Sequence, residues 1–260
     1  MNEPLIDVNV YLGQWPFRRL PGDDIAELVA KLRSQDVVQA WAGSFEALLH
    51  RDVAAVNQRL AAACRNQGEG LLVPFGAVNP RLPDWEEDLR RCHEEHQMPG
   101  IRLHPNYHGY KLDDPLAAKL MEAAAARGLI VQLALTMEDE RTQHPLLQVP
   151  HVDVAPLVEV MKRLPQLRLV LLNAFRSLRG EIVDRLTAAG QVYFDIAQLE
   201  GVGGLEKLIQ QVTAERVLFG SYYPFFYFEA ALLKLRESEP GGAALKAIRE
   251  DNARKLLARG

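Results

Sequence analysis

Residues 100–135 read GIRLHPNYHGYKLDDPLAAKLMEAAAARGLIVQLAL. A short apolar run, Gly100–His104, is followed by helical spacing over Leu116–Ala126 and a second apolar run, Leu129–Leu135. Strand, helix, strand in that order predicts two parallel strands joined by a crossover helix. Working outward, the same unit recurs. Further β-rich runs are Leu5–Tyr11, Val37–Phe45, Leu71–Val78, Leu167–Asn173, Val192–Ala197 and Arg216–Ser221, which makes eight. Their starts step by 32, 34, 29, 29, 38, 25 and 24 residues. Helical spacing separates them: Asp24–Arg33, with Ile25, Leu28, Val29 and Leu32 on one face, then Val53–Cys64, Trp85–His96, Val154–Leu164, Ile182–Ala189, Leu205–Val212 and Glu229–Arg236.

The runs are mostly apolar rather than alternating, as strands covered on both faces must be. Eight strand–helix units in 260 residues predict an α/β fold, a (β/α)8 TIM barrel. An open doubly wound sheet would carry a Gly-rich phosphate loop after the first strand. That loop reads LGQWPFRRLPG and lacks the pattern. Gly241–Gly260 reads as a closing helix, and no linker-like stretch divides the chain, so residues 1–260 are expected to form one domain.

Composition narrows the function. Hydrophobic residues are 48% and charged residues 25%, ordinary globular usage. With 30 basic and 34 acidic residues the net charge is −4, leaving no basic surplus for nucleic acid. Cys64 and Cys92 lack metal-knuckle or redox spacing and read as reduced buried thiols. The start MNEPLIDVNV has no signal-peptide pattern, and no apolar run is long enough to cross a membrane. A cytoplasmic protein with a small-molecule ligand is expected.

In such a barrel the site lies at the carboxyl ends of the strands. The residues there are Asn9, Tyr11, Glu46, Asn79, Arg102, His104, Gln132, Asn173, Asp195 and Tyr222. Most are neutral amides or phenols, poor ligands for a divalent metal.

The chain resembles the amidohydrolase-related TIM-barrel family of metal-dependent hydrolases and decarboxylases. The resemblance is carried by IDVNVYLG, FGAVNP, GIRLHP, LIVQLAL, LRLVLLNA, VYFDIA, RVLFGSYYPF and EDNARKLL, and it spans nearly the whole chain. It implies metal ligands at five positions. The first-strand His-x-His pair falls on Asn9 and Tyr11, the fifth-strand His on Gln132, the sixth-strand His on Asn173 and the eighth-strand Asp on Tyr222. What matches is scaffold: Asp7, Gly13, Asn79, Gly220, Ser221, Pro224 and Asn252. The expected site therefore has no metal and no cofactor.

Two loops at the presumed catalytic face and one strand end stand out. Gln14–Arg19 offers Arg18 or Arg19 to a substrate carboxylate, with Trp15 as a wall. Met137–His151, longer than an ordinary βα loop, holds Glu138, Asp139, Glu140, Arg141 and His144. Asp139 with Arg141 reads equally as a structural ion pair. Arg102 and His104 alternate on the fourth strand and read as an anion site and a proton donor. The aromatic run Tyr222–Phe228 is expected to pack under the last helices and line an apolar pocket.

Two readings follow. The first is a metal-independent hydrolase, or related lyase, acting on a small carboxylated or lactone-like compound. His104, His144 and Asp195 are its expected catalytic groups. Asn9, Tyr11, Arg18, Arg102, Gln132, Arg141, Asn173 and Tyr222 are its expected substrate-binding groups. The second is a pseudoenzyme that kept the fold and binds a ligand or partner. A homodimer is consistent with both. A metal enzyme with relocated ligands needs three converging acids or imidazoles, and only His104, Asp195 and the loop acids offer themselves.

Overall fold

The computed structural model describes residues 4–238 and 240–258. The first three residues of the MNEPLIDVNV stretch and the last two of the predicted closing helix lie outside them. All eight strands appear: β1 (Leu5–Leu12), β2 (Val37–Ser44), β3 (Leu72–Pro74), β4 (Gly100–Leu103), β5 (Ile130–Ala134), β6 (Arg168–Leu172), β7 (Gln191–Asp195) and β8 (Val217–Leu218). Ladders run in parallel through β1-β2-β3 and through β4 to β8. Bridges Gly76–Ile101 and Val10–Tyr223 join the two sheets, closing a barrel that has no free edge.

The crossovers carry α1 (Ile25–Ser34), α2 (Val53–Gln67), α3 (Trp85–Arg90), α4 (Pro105–His108), α5 (Pro115–Ala126), α6 (Leu157–Arg163), α7 (Glu181–Ala189), α8 (Gly204–Val212) and α9 (Phe228–Arg236). Asp24 and Asp52 cap α1 and α2 by accepting backbone N–H bonds. The chain ends in α10 (Gly242–Lys246), a π turn (Ala247–Asp251) and α11 (Asn252–Ala258). No helix among the described residues is long and apolar enough to cross a membrane.

Where bounds differ from the periodicity, backbone chemistry explains it. β3 stops at Pro74, although Phe75 still donates to the Ala42 carbonyl. β8 is short because the next residues are shared with β1: Val8 donates to the Phe219 carbonyl and Tyr11 to that of Tyr223. α6 begins after Pro156 rather than at Val154. Cys64 and Cys92 are free and buried, as expected.

The lower barrel is packed by Ile6, Val8, Trp41, Phe75, Ile130, Val170, Leu172 and Leu218. Helix-facing residues such as Val10, Ala40, Ile101, Leu133 and Leu169 belong to the larger outer core. The buried polar residues Asn9, Arg102, His104, Gln132, Asn173 and Asp195 gather toward the carboxyl ends of the strands.

Candidate functional site

Strand alternation alone would send Asn9 and Tyr11 to the side opposite Val8. A register shift between Asp7 and Val10 changes this. Such an irregularity lets Ile6 and Val8 fill the barrel while Asn9 and Tyr11 also reach its axis. Asn9 Nδ2 donates to Asp195 Oδ2 at 2.6 Å and to Asn173 Oδ1 at 2.9 Å. Asn173, with φ of 55°, turns its backbone N–H to Asp195 Oδ1 at 2.9 Å and its amide to the Thr136 carbonyl at 2.8 Å. Tyr222 adopts φ of 59°, and its hydroxyl donates to the Met137 carbonyl at 2.6 Å. Left-handed backbone is costly for a tyrosine, and the surroundings hold it there.

The centre of this layer is a guanidinium. Arg102 is fully buried. Its Nε donates to Gln132 Oε1 at 2.8 Å and its Nη1 to the Val10 carbonyl at 2.7 Å. Nη2 donates to the carbonyls of Trp41 at 2.9 Å and Val8 at 3.2 Å. The Tyr11 ring lies under the guanidinium carbon, 4.5 Å from its centroid. Gln132 completes the lattice by donating to the Val8 carbonyl at 2.7 Å. The sequence expects Arg102 to hold a substrate carboxylate; in the structure its donors are turned to the chain's own oxygens beneath the mouth.

Two buried carboxylates face this charge. Burial pushes Asp195 up to about 6 and Asp7 up to about 7, against the hydrogen bonds each accepts. Asp7 accepts from the Ser221 hydroxyl and from the backbone N–H groups of Asn9 and Ser221, tying β1 to β8. Burial holds His104 well below the usual imidazole range, aided by His108 and Arg102, so both its neighbours and its burial favour the neutral ring. His104 Nε2 meets the Tyr11 hydroxyl at 3.0 Å, and its Nδ1 has no partner among the described residues.

An aromatic layer covers these groups. Tyr11 stacks on Phe45 with centroids 4.7 Å apart, and Trp15 meets Phe45 and Phe225 edge-on at 5.4 and 5.0 Å. Tyr222 stacks on Phe225 at 5.0 Å. Above it, Arg18 donates to the buried carboxylate of Glu138 at 2.6 Å while lying over Phe225. The aromatic run after β8 therefore closes the mouth and does not line an open pocket there.

The expected residues thus fall into two groups. Asn9, Tyr11, Arg102, His104, Gln132, Asn173, Asp195 and Tyr222 converge, and each is at most 1% exposed. Arg18, Arg141 and His144 lie outside, on loops. His144 stacks on Phe17 at 5.0 Å, and its Nδ1 accepts from the Leu146 backbone. Arg141 pairs with Asp139, which also pairs with Arg176. Arg19 pairs with Asp23, Glu46 with Arg59 outside the barrel, and Asn79 accepts from its own turn. Sequence reasoning missed Gly43 and Met137. A glycine within the VVQAWAGSF run is the available signal for Gly43, since a strand glycine marks close approach. Nothing in the sequence marks Met137, whose role depends on its backbone carbonyl.

Beside the mouth, a cleft of about 800 Å³ is lined by Arg141, His151, Arg176, Arg179, Glu140 and Glu200, among others. Arg179 makes no ion pair among the described residues.

The sequence profile of the amidohydrolase family matches residues 11–259, and the chain belongs to that family. The barrel is similar to 2,6-dihydroxybenzoate decarboxylase from Rhizobium, at 13% identity and TM-score 0.75 over 99% of both chains. It is similar to 5-carboxyvanillate decarboxylase from Sphingomonas paucimobilis, at 13% identity and TM-score 0.74 over 98% of this chain and 99% of that one. A dihydroxybenzoic acid decarboxylase from a Polaromonas species, with bound manganese and the inhibitor 2-nitroresorcinol, matches at 14% identity and TM-score 0.75 over 99% and 97%. No curated protein matches. At these identities the likeness establishes the fold.

The groups present do not fit a divalent cation. No cluster of three or more His, Cys, Asp or Glu side chains comes together among the described residues. The positions the resemblance assigns to ligands hold amides and phenols, and a guanidinium lies among them. A fixed positive charge there repels a second cation.

Proposed function

We propose that this chain is a single-domain, metal-free member of the amidohydrolase family that binds a small carboxylated compound without transforming it. One observation carries the reading: the eight convergent residues are buried and bonded to one another and to backbone carbonyls of the barrel. A catalytic group must come within hydrogen-bond reach of its substrate, and none of these does in the closed barrel. The ligand class is supported by the open cleft beside the mouth, where Arg179 makes no ion pair among the described residues and Arg176, paired with Asp139 through Nη2 alone, keeps further planar donors suited to a carboxylate.

A second reading, metal-free hydrolysis, has one observation in its favour. The unpartnered His104 Nδ1 is a proton-transfer group if the 137–151 loop lifts away. Calorimetry with benzoate and 2,6-dihydroxybenzoate, paired with product analysis by mass spectrometry, separates the two. We expect salt-sensitive binding that weakens about tenfold in the double variant Arg176→Ala/Arg179→Ala, and no product. Product formation, or binding indifferent to the double change, contradicts the proposal.

A further inference from the structure

The acceptors around Arg102 form a receptor with the shape of one ion. Three backbone carbonyls, of Val8, Val10 and Trp41, and the side-chain oxygen of Gln132 receive four of its five N–H groups at 2.7–3.2 Å. The Tyr11 ring closes one face. Gly43, the register partner of Tyr11 on β2, leaves room for the guanidinium, since a Cβ there would lie 2.8 Å from Nη1. Carbonyls carry no formal charge, so the lattice suits a delocalised, weakly hydrated cation better than a compact ammonium or a dication. Asp7 and Asp195 supply buried countercharge nearby.

We propose that the head of this barrel is a guanidinium-binding site occupied by the chain's own Arg102, so that a cation built into the sequence stands at the axis of the metal-free barrel. This rests on the metal-free reading above and goes beyond it by assigning the site its ligand chemistry. A site of this kind, emptied by truncation, takes up free guanidinium. The test uses the full chain with Arg102→Ala, followed by thermal melting. Without additive the melting temperature should fall by about 10 °C. Guanidinium or methylguanidinium chloride at about 20 mM, well below denaturing levels, should restore several degrees; sodium chloride and urea at equal concentration should not, and the wild type should gain nothing. Recovery with manganese or zinc, or no guanidinium-specific recovery in a folded variant, overturns the proposal.

Should Arg102→Ala fail to fold, Arg102→Lys and Arg102→Met carry the same question. The proposal requires both to melt well below the wild type, because neither presents the planar fork that the four oxygens receive. Lys or Met at wild-type stability overturns it. Stoichiometric metal in the wild-type protein would instead overturn the metal-free reading, so the two failures are distinguishable.

Discussion

Gly43→Ala is expected to destabilise the fold by about 3 kcal/mol, a large effect for one methyl group. Gly43 lies on β2 with its α-carbon turned to the barrel axis. A Cβ built there would come within 2.8 Å of Arg102 Nη1, 2.9 Å of its Cδ and 3.1 Å of its Cζ. A flexible arginine on a surface would swing aside at little cost. Here the guanidinium is pinned by Val8, Val10, Trp41 and Gln132, so relief means breaking a charged hydrogen bond in a buried site. Each such bond is worth roughly 1.5–3 kcal/mol, and overpacking a tight core costs about 1–3 kcal/mol. Urea unfolding measures this, urea being chosen because guanidinium competes for the site. A midpoint shift worth under about 0.5 kcal/mol would show that the arginine is not held there.

Asp195→Ala is expected to cost about 3–5 kcal/mol, the range for removing one member of a buried charge network. The change leaves the Asn173 backbone N–H without its acceptor and Asn9 Nδ2 with one of two. The effect should depend on pH in a set direction. The folded value, near 6, lies above the ordinary 3.8, so the native state binds the proton more tightly. That contribution is complete below 3.8 and disappears as pH rises through about 6. The stability gap between wild type and Asp195→Ala should therefore be wider at pH 4 than at pH 7, read from paired urea titrations. A gap that widens with rising pH would mean that Asp195 is stabilised as a carboxylate, against the burial that surrounds it.

The barrel was legible from the spacing of apolar runs because a strand buried on both faces must be apolar wherever it lies in the sequence. The convergence of Asn9, Tyr11, Gln132, Asn173 and Tyr222 was legible because strand ends in a closed barrel share one rim. Their partners were not. Arg102 shows a charge in the sequence but not its acceptors, three of which are backbone carbonyls common to every residue. The expectation of an anion site followed from that gap. The irregularity in β1 was hidden too, since VNVY alternates well enough to pass for a regular strand. The Tyr222–Phe228 run announced an aromatic surface, yet whether it lines or seals the mouth depends on Trp15 and Phe45, which are distant in sequence.

The central claim is that a built-in cation, rather than a metal, stands at the head of this barrel. It is tested most directly by metal content. Purified protein, incubated with excess manganese and zinc and then dialysed, should retain far less than one equivalent by mass spectrometric analysis, and its melting temperature should be unmoved by either ion. One tightly held equivalent per chain, with a matching rise in melting temperature, would contradict the account.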